Sequence, residues 1–167
     1  KSMMPDYDFS KARTIVSFGA DFMNNWLFHT EYVAQYAKNR KPTGDWMSKH
    51  FHYEANLSLT GSNADVRVPL KPSDEGRALV ALHNAVAGKM GGASVSVNTD
   101  GLPMNGIQMT ADELMSNKGQ SLVVSGSNDP DNQVVVNAIN SLLGNYGNAI
   151  STSKEIFLNQ GDDAATV

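Results

Sequence analysis

Residues 14–21 read Thr-Ile-Val-Ser-Phe-Gly-Ala-Asp, and this stretch decides the fold class. The β-branched run at its start continues through Ser17 and Phe18, which predicts a buried parallel strand that ends in a turn at Gly19. Glycine tolerates a positive φ and lets another backbone or a ligand come close. Ligands in open α/β sheets bind just outside the carboxyl ends of such strands. We therefore expect the other elements to be layered around this strand.

The turn at Gly19 has two interpretations. It can approach a nucleotide phosphate closely, or it can simply redirect the chain after the strand. We favour the second, because no glycine-rich Gly-x-Gly-x-x-Gly loop follows.

The composition excludes several classes of function. With 41% hydrophobic and 18% charged residues, the 167-residue chain is typical of a globular domain. A net charge of -4 argues against nucleic acid as a partner, since such binding needs a basic surface. The lack of cysteine excludes disulfides, thiolate catalysis and a cysteine-bound iron–sulphur cluster within this sequence. No apolar run reaches membrane-spanning length, so no direct membrane span is expected.

The chain begins at Lys1 and not at a methionine, and we interpret it as a segment of a longer protein. On that interpretation, the lack of a signal peptide carries no information about the compartment.

The pattern along the chain predicts an α/β domain at residues 14–150, with a mostly parallel sheet and helices on both faces. Residues 1–13 are expected to form a lead-in loop, residues 151–167 a loosely ordered tail, and residues 88–118 an irregular excursion. Strands are predicted at 15–18, 49–55, 64–70 and 121–126, and helices at 30–39, 73–88, 110–117 and 130–143, with a turn or short helix at 57–63.

Four helix starts carry capping signals. Thr30, Ser73 and Asp129 are predicted N-caps, the last followed by a proline at the first helical position. Thr110 and Glu113 fit a capping box that would open the helix within the excursion.

His50 and His52 are two residues apart and would share one face of a strand, as a metal pair would. Because no third ligand has matching spacing, we favour two satisfied or exposed histidines. Several acidic side chains are candidate acid/base groups, but capping and solvated turns explain them better. They are Asp21, Glu54, Asp65, Asp74 and Glu75.

An aromatic cluster is formed by Trp26, Phe28, Tyr32 and Tyr36. Interfaces favour aromatic residues, so the cluster is a candidate partner surface. It is equally well interpreted as a core under the first helix.

The order of these signals resembles the molybdopterin oxidoreductase family. The later stretches carry the resemblance best: Thr60–Asp65, Val68–Leu79, Ser121–Gly126 and Leu142–Gly147. In that family, three turns hold the dinucleotide end of the pterin cofactor, and each is altered here. Gly-x-Asn-Pro has become Gly19-Ala20-Asp21-Phe22, Asp-Pro-Arg has become Glu54-Ala55-Asn56, and Gly-Thr-Asp has become Ser73-Asp74-Glu75.

These departures remove a cationic donor and add carboxylates where a polyanion would sit. The resemblance therefore implies a domain that has lost its cofactor. The degenerate cofactor positions are Gly19, Asp21, Glu54, Asn56 and Asp74, and we assign no catalytic residue and no metal ligand.

One branch of the family is more similar still, the large iron–sulphur protein of bacterial alternative complex III, whose molybdopterin-like half lacks the cofactor. The similar residues are Ala20–Phe22, Trp26, His52–Glu54 and Ser58–Asp65. This resemblance implies a scaffold in a quinol-oxidising complex at the periplasmic face of the inner membrane. It further implies iron–sulphur clusters in another half of the same protein. The implied partners are a multihaem cytochrome c and a quinol-binding membrane protein.

Two alternative interpretations stay open. In the first, the chain is a segment of an active molybdenum or tungsten pterin enzyme. In the second, it is an unrelated small nucleotide-binding domain. The residues at positions 21–22 and 54–56 favour the scaffold over the active enzyme.

Overall fold

The predicted α/β architecture is confirmed. The computed structural model describes residues 3–42 and 44–157. The strands are β1 (Met3–Tyr7), β2 (Thr14–Phe18), β3 (Lys49–Glu54), β4 (Val66–Pro69), β5 (Ser121–Ser125) and β6 (Ile150–Phe157). The helices are α1 (His29–Lys38), α2 (Leu59–Asn63), α3 (Glu75–Lys89), α4 (Met104–Ser116) and α5 (Pro130–Leu143).

Four parallel strands form the central sheet in the order β4-β3-β2-β5. Every residue of β2 is buried, and its Ile15 lies between His50 of β3 and Leu122 of β5. The strand order reverses at β2, since β3 and β4 lie on one side and β5 on the other. This is the Rossmann-like order, in which ligand clefts open at the carboxyl edge near the reversal.

Alternate residues of β2 enter two apolar cores on opposite faces of the sheet. Ile15 packs with Tyr32 and Tyr36 of α1 on one face. Val16 and Phe18 pack on the other face with residues from α3, α4 and α5. Helices therefore cover both faces, and each layer removes apolar surface from water.

The aromatic cluster belongs mainly to the core under α1. Tyr32 and Tyr36 are buried, and Trp26 is partly buried against them. Phe28 is 36% exposed, with its ring edge-on to Tyr32 at a centroid distance of 6.2 Å. The core interpretation therefore accounts for most of the cluster.

Both predicted ends of the domain need correction. The expected lead-in loop contains β1, which pairs antiparallel with β6 at the other end of the chain. The expected tail is wrong for residues 151–157, which continue β6, while residues 158–167 lie outside the described part. The sequence of β6 is largely polar, and its partner strand lies more than 140 residues away. Local pattern therefore gave no signal for this pairing.

The excursion at 88–118 is also partly wrong. Residues 92–99 lie in neither helix nor strand, but α4 already begins at Met104. Thr110 is therefore inside the helix and is not a cap. Its Oγ1 donates to the carbonyl of Gly106 at 2.8 Å and lies 2.6 Å from the Tyr53 hydroxyl. A threonine inside a helix can bond back to the preceding turn, which imitates a cap in sequence.

Of the other caps, only Asp129 is confirmed, since its carboxylate accepts from the N–H of Asp131. Thr30 lies within the first turn of α1, whose N-cap residue is Phe28. Ser73 lies in a 3-10 turn that precedes α3, and the N-cap position belongs to Asp74.

Across residues 3–42 and 44–157, every helix falls short of the length and apolar character needed to cross a bilayer.

Candidate functional site

A cleft of about 270 Å³ lies at the carboxyl edge of the sheet, beyond the ends of β2, β3 and β4. Four of the five degenerate cofactor positions line it: Gly19, Asp21, Glu54 and Asn56. The fifth, Asp74, instead lines a neighbouring cavity and bonds Arg77 at 2.8 Å. Its place in the cleft is taken by Glu75. The topology therefore brings the ends of separate elements to one edge.

Gly19 makes the turn with a φ of 56°. A Cβ here would lie 3.7 Å from Oε2 of Glu75, so that carboxylate occupies the space over the glycine. On the other side, a Cβ on Gly126 would lie 2.6 Å from the carbonyl oxygen of Gly19. The close approach that these glycines allow is used by the protein's own backbone and by a carboxylate.

Asp21 ties the turn after β2 to α2. Its Oδ1 accepts from the N–H and Oγ1 of Thr60 at 3.1 and 2.7 Å, and its Oδ2 accepts from Asn24. Burial alone would raise the pKa of Asp21, but these hydrogen bonds and nearby His52 lower it below its usual value. The carboxylate is thus ionised and already supplied with donors.

Glu54, at the end of β3, is 7% exposed and fully engaged. It accepts from Arg67 Nε at 2.5 Å, from His52 Nε2 at 3.0 Å and from the N–H of Ser58 at 3.1 Å. Burial opposes ionisation, but the bonds from Ser58 and Arg67 still lower the pKa of Glu54. A Cβ on Gly61 would lie 2.0 Å from Oε1, so any side chain at position 61 would push this carboxylate away from its partners.

Glu75 begins α3 and crosses to β5. Its Oε1 accepts from Oγ of Ser125 at 2.7 Å, at the carboxyl end of that strand. Burial raises its pKa, against the effect of the Ser125 bond. The prediction that capping and a solvated turn explain this residue is incomplete, because the side chain links α3 to β5 beside the cleft.

The two histidines of β3 are satisfied by hydrogen bonds. His50 Nε2 and His52 Nδ1 lie 2.8 and 2.5 Å from Oγ of Ser17. The hydroxyl of Tyr36 lies 3.3 Å from His50 Nδ1. No group of three or more possible metal ligands occurs in the part of the chain that the structure describes.

Sequence reasoning missed the partners of the carboxylates, which are Ser58, Thr60, Arg67 and Ser125, and also Ser17, which joins the two histidines. The two-residue alternation of strands predicts that His50 and His52 share one face, but the approach of Ser17 depends on the pairing of β2 with β3. The position of Arg67 depends on the pairing of β3 with β4, which local sequence does not give.

A pterin dinucleotide does not fit these residues. A pyrophosphate needs free N–H donors and positive charge, often at a helix N-terminus directly after the strand. Here residues 20–28 separate Gly19 from α1, so the helix N-terminus does not follow the turn. Asp21, Glu54 and Glu75 place three carboxylates in the cleft against one lysine, Lys71, and the donors near Asp21 and Glu54 already bond those two side chains.

No family model matches the chain, and a search of curated proteins also returned no match.

Proposed function

We propose that the chain is a cofactor-free, molybdopterin-oxidoreductase-like scaffold segment of a membrane-associated quinol-oxidising complex of the alternative complex III type. Such a complex passes electrons from quinol to a cytochrome c or a terminal oxidase. The segment itself does no chemistry. One observation carries the proposal: the cleft at the carboxyl edge is lined by carboxylates that bond to the protein itself.

The hydrogen bonds of these carboxylates support a cleft that no longer binds a cofactor. Asp21 and Glu54 are ionised and consume the donors of Thr60, Ser58 and Arg67. A bound polyanion would have to displace those bonds and would face like charges at short range. The same bonds tie the ends of β2 and β3 to α2 and β4. On this proposal, Asp21 and Glu54 no longer serve a bound ligand and instead cross-link the fold.

The surface near the cleft suits a role in assembly. Leu57 is 68% exposed and Leu59 is 51% exposed, and both adjoin residues that line the cleft. Exposed apolar groups of this size favour contact with another protein surface. On this proposal, the contacts are the cluster-bearing half of the same protein, a multihaem cytochrome c and a quinol-binding membrane protein at the periplasmic face.

The metal content of the intact protein tests the proposal. The complex is purified from its native membrane, and iron, molybdenum, tungsten and haem c are measured per copy of this chain. We expect iron and haem c, with no stoichiometric molybdenum or tungsten. One molybdenum or tungsten per chain would support the alternative, a segment of an active pterin enzyme. Purification without iron or haem would contradict the respiratory assembly.

A further inference from the structure

A continuous chain of hydrogen bonds runs along the α1 face of the sheet, and we call it the polar chain. It consists of Tyr36, His50, Ser17, His52 and Glu54, in that order. Its successive links measure 3.3, 2.8, 2.5 and 3.0 Å. All five residues are buried, from 0% exposure for Ser17 and both histidines to 7% for Glu54. Buried polar groups of this kind have a fixed set of partners, so their donor and acceptor roles can be deduced.

The carboxylate sets the direction of every link. Glu54 is an acceptor, so His52 must carry its proton on Nε2, and its Nδ1 must accept from Ser17. The serine has one proton, and its oxygen must therefore accept from Nε2–H of His50. His50 Nδ1 is then left to accept from the hydroxyl of Tyr36. Both histidines are neutral in this first state and carry their protons on Nε2.

A second state satisfies the same groups in the opposite direction. If His52 gains a proton on Nδ1, Ser17 must accept from it and donate to His50 Nε2. His50 then carries its proton on Nδ1 and donates to the oxygen of Tyr36. The Tyr36 hydroxyl has a waiting acceptor, the carbonyl of Asn63 at 3.2 Å. The polar chain thus has two complete arrangements that differ by one proton.

We propose that the polar chain is a two-state proton relay that moves one proton between Tyr36 on α1 and His52 beside the cleft. In the inward direction, the Tyr36 O–H bond breaks as an Nδ1–H bond forms on His50. The Nε2–H bond of His50 breaks as a new O–H bond forms on Ser17, whose original proton passes to His52 Nδ1. A hydronium ion from the solvent returns a proton to the Tyr36 oxygen and becomes water, which balances the proton gained by His52. No electron moves, and His52 ends as an imidazolium beside the Glu54 carboxylate.

The charges around His52 permit both states. Glu54 on its own strand and Asp21 after β2 favour its protonated form, whereas burial and Arg67 of β4 oppose it. Ser17 of β2 faces Nδ1, and the Ser58 hydroxyl lies 3.4 Å from Nε2. The balance keeps the pKa of His52 below its usual value, so the first state holds at neutral pH.

The surroundings of His50 keep that residue neutral. Burial, the neighbouring His52 and the Arg40 cation that follows α1 hold its pKa well below the usual value. Asp65, which precedes β4, bonds the backbone N–H of His50 and pairs with Arg40 at 2.6 Å. His50 therefore passes a proton on by changing tautomer and does not become charged itself.

The relay is tested by following the imidazole nitrogens of the full chain by ¹⁵N NMR during acid titration. At neutral pH, we expect His50 and His52 to carry their protons on Nε2. As His52 becomes an imidazolium, His50 is expected to switch to the Nδ1–H tautomer at the same midpoint. The proposal is overturned if His50 keeps its Nε2 proton through that transition. Loss of the folded spectrum before His52 titrates overturns it as well.

Two variants sharpen the test. Ser17→Ala removes the hydroxyl that joins the two histidines, so protonation of His52 no longer dictates where His50 carries its proton. His50 should therefore keep one tautomer while His52 titrates. Tyr32→Phe is the matched control, because it also removes a buried hydroxyl, one that bonds none of the described residues. A Ser17→Ala protein in which His50 switches as in the control would refute the relay.

Discussion

Glu54 shows how one buried carboxylate can join several elements. It lies at the end of β3 and accepts hydrogen bonds from Arg67, His52 and the backbone N–H of Ser58. A buried carboxylate is stable only when it is paired and hydrogen-bonded in this way. A substitution that fills the space of this carboxylate should therefore lower the free energy of unfolding more than an ordinary surface substitution does.

Gly61→Ala tests this packing. Its new Cβ would lie 2.0 Å from Glu54 Oε1, so the carboxylate must move away from its partners. We expect a loss of about 2–4 kcal/mol in the free energy of unfolding, measured with urea. Gly88→Ala is the control, since a Cβ there is open and the residue lies in α3. That variant should gain about 0.5–1 kcal/mol. Equal effects of the two changes would contradict the account.

The sequence predicted the position of Glu54 but not its partners. The β-branched and apolar run at residues 14–18 predicts the end of β2, and the predicted strand at 49–55 together with the resemblance puts Glu54 at a cofactor turn. The approach of Arg67 and Gly61 depends on how strands pair and how α2 folds back. Both contacts belong to the tertiary structure, and no local sequence pattern predicts them.

Helix α1 offers a comparison within one element. Tyr32 and Tyr36 are both buried, but only the second has hydrogen-bond partners among the described residues. Burial raises the pKa of Tyr36 to about 12, so its hydroxyl is protonated at neutral pH in both arrangements of the polar chain.

Tyr36→Phe should therefore destabilise the protein by about 1 kcal/mol, because it leaves His50 Nδ1 without a donor. Tyr32→Phe should be neutral or slightly stabilising, because it removes a buried hydroxyl that bonds none of the described residues. Thermal or urea unfolding of the two variants gives the comparison. A larger loss for Tyr32→Phe would be incompatible with these hydrogen bonds.

The helix caps give a second comparison. Asp129 caps α5 through its carboxylate, whereas Ser73 is exposed in the turn before α3. Asp129→Ala is expected to cost about 0.5–2 kcal/mol. Ser73→Ala is expected to stay within about 0.5 kcal/mol of the wild type. Urea midpoints measure both, and a large loss for Ser73→Ala would restore it as the cap.

The elements themselves were largely predictable. Helix α5 carries every local signal, with Asp129 and Pro130 at its start and Gly144 at its end in a left-handed conformation. Helix α4 lacks an N-terminal signal, since Pro103 precedes it without a side-chain cap. Local pattern therefore misplaces its start at Thr110, whose hydroxyl bonds back within the helix.

At the scale of the molecule, the two faces of the sheet differ in chemistry. One face is largely apolar, whereas the α1 face buries His50 and His52 among hydrogen bonds. Burial lowers the pKa of both histidines, so the unfolded chain binds more protons below its ordinary histidine pKa of about 6.5. Stability must therefore fall as the pH drops through this range.

We expect the free energy of unfolding to decrease between about pH 7.5 and about pH 5.5, by up to about 1.4 kcal/mol per pH unit for each histidine. A second loss follows below about pH 4, as the pKa values of Asp21 and Glu54 are lowered in the folded protein. Glu75 acts in the opposite sense, because its pKa is raised. Urea unfolding across this range measures the slope. Constant stability down to about pH 5.5 would contradict it.

The pairing of β1 with β6 could not be predicted from local sequence patterns. The layered sheet follows from periodicity and from the order of the elements, and it was predicted. A strand pair that joins the two ends of the chain depends on closure of the whole domain.

The most direct test of a retired cofactor cleft is a high-resolution map of the intact assembly, viewed beside Gly19, Glu54 and Glu75. We predict that the cleft holds only protein and water, with Asp21 on Thr60, Glu54 on Arg67 and Glu75 on Ser125. Density for a pterin dinucleotide in the cleft would contradict the account and identify the chain as part of a pterin-dependent enzyme.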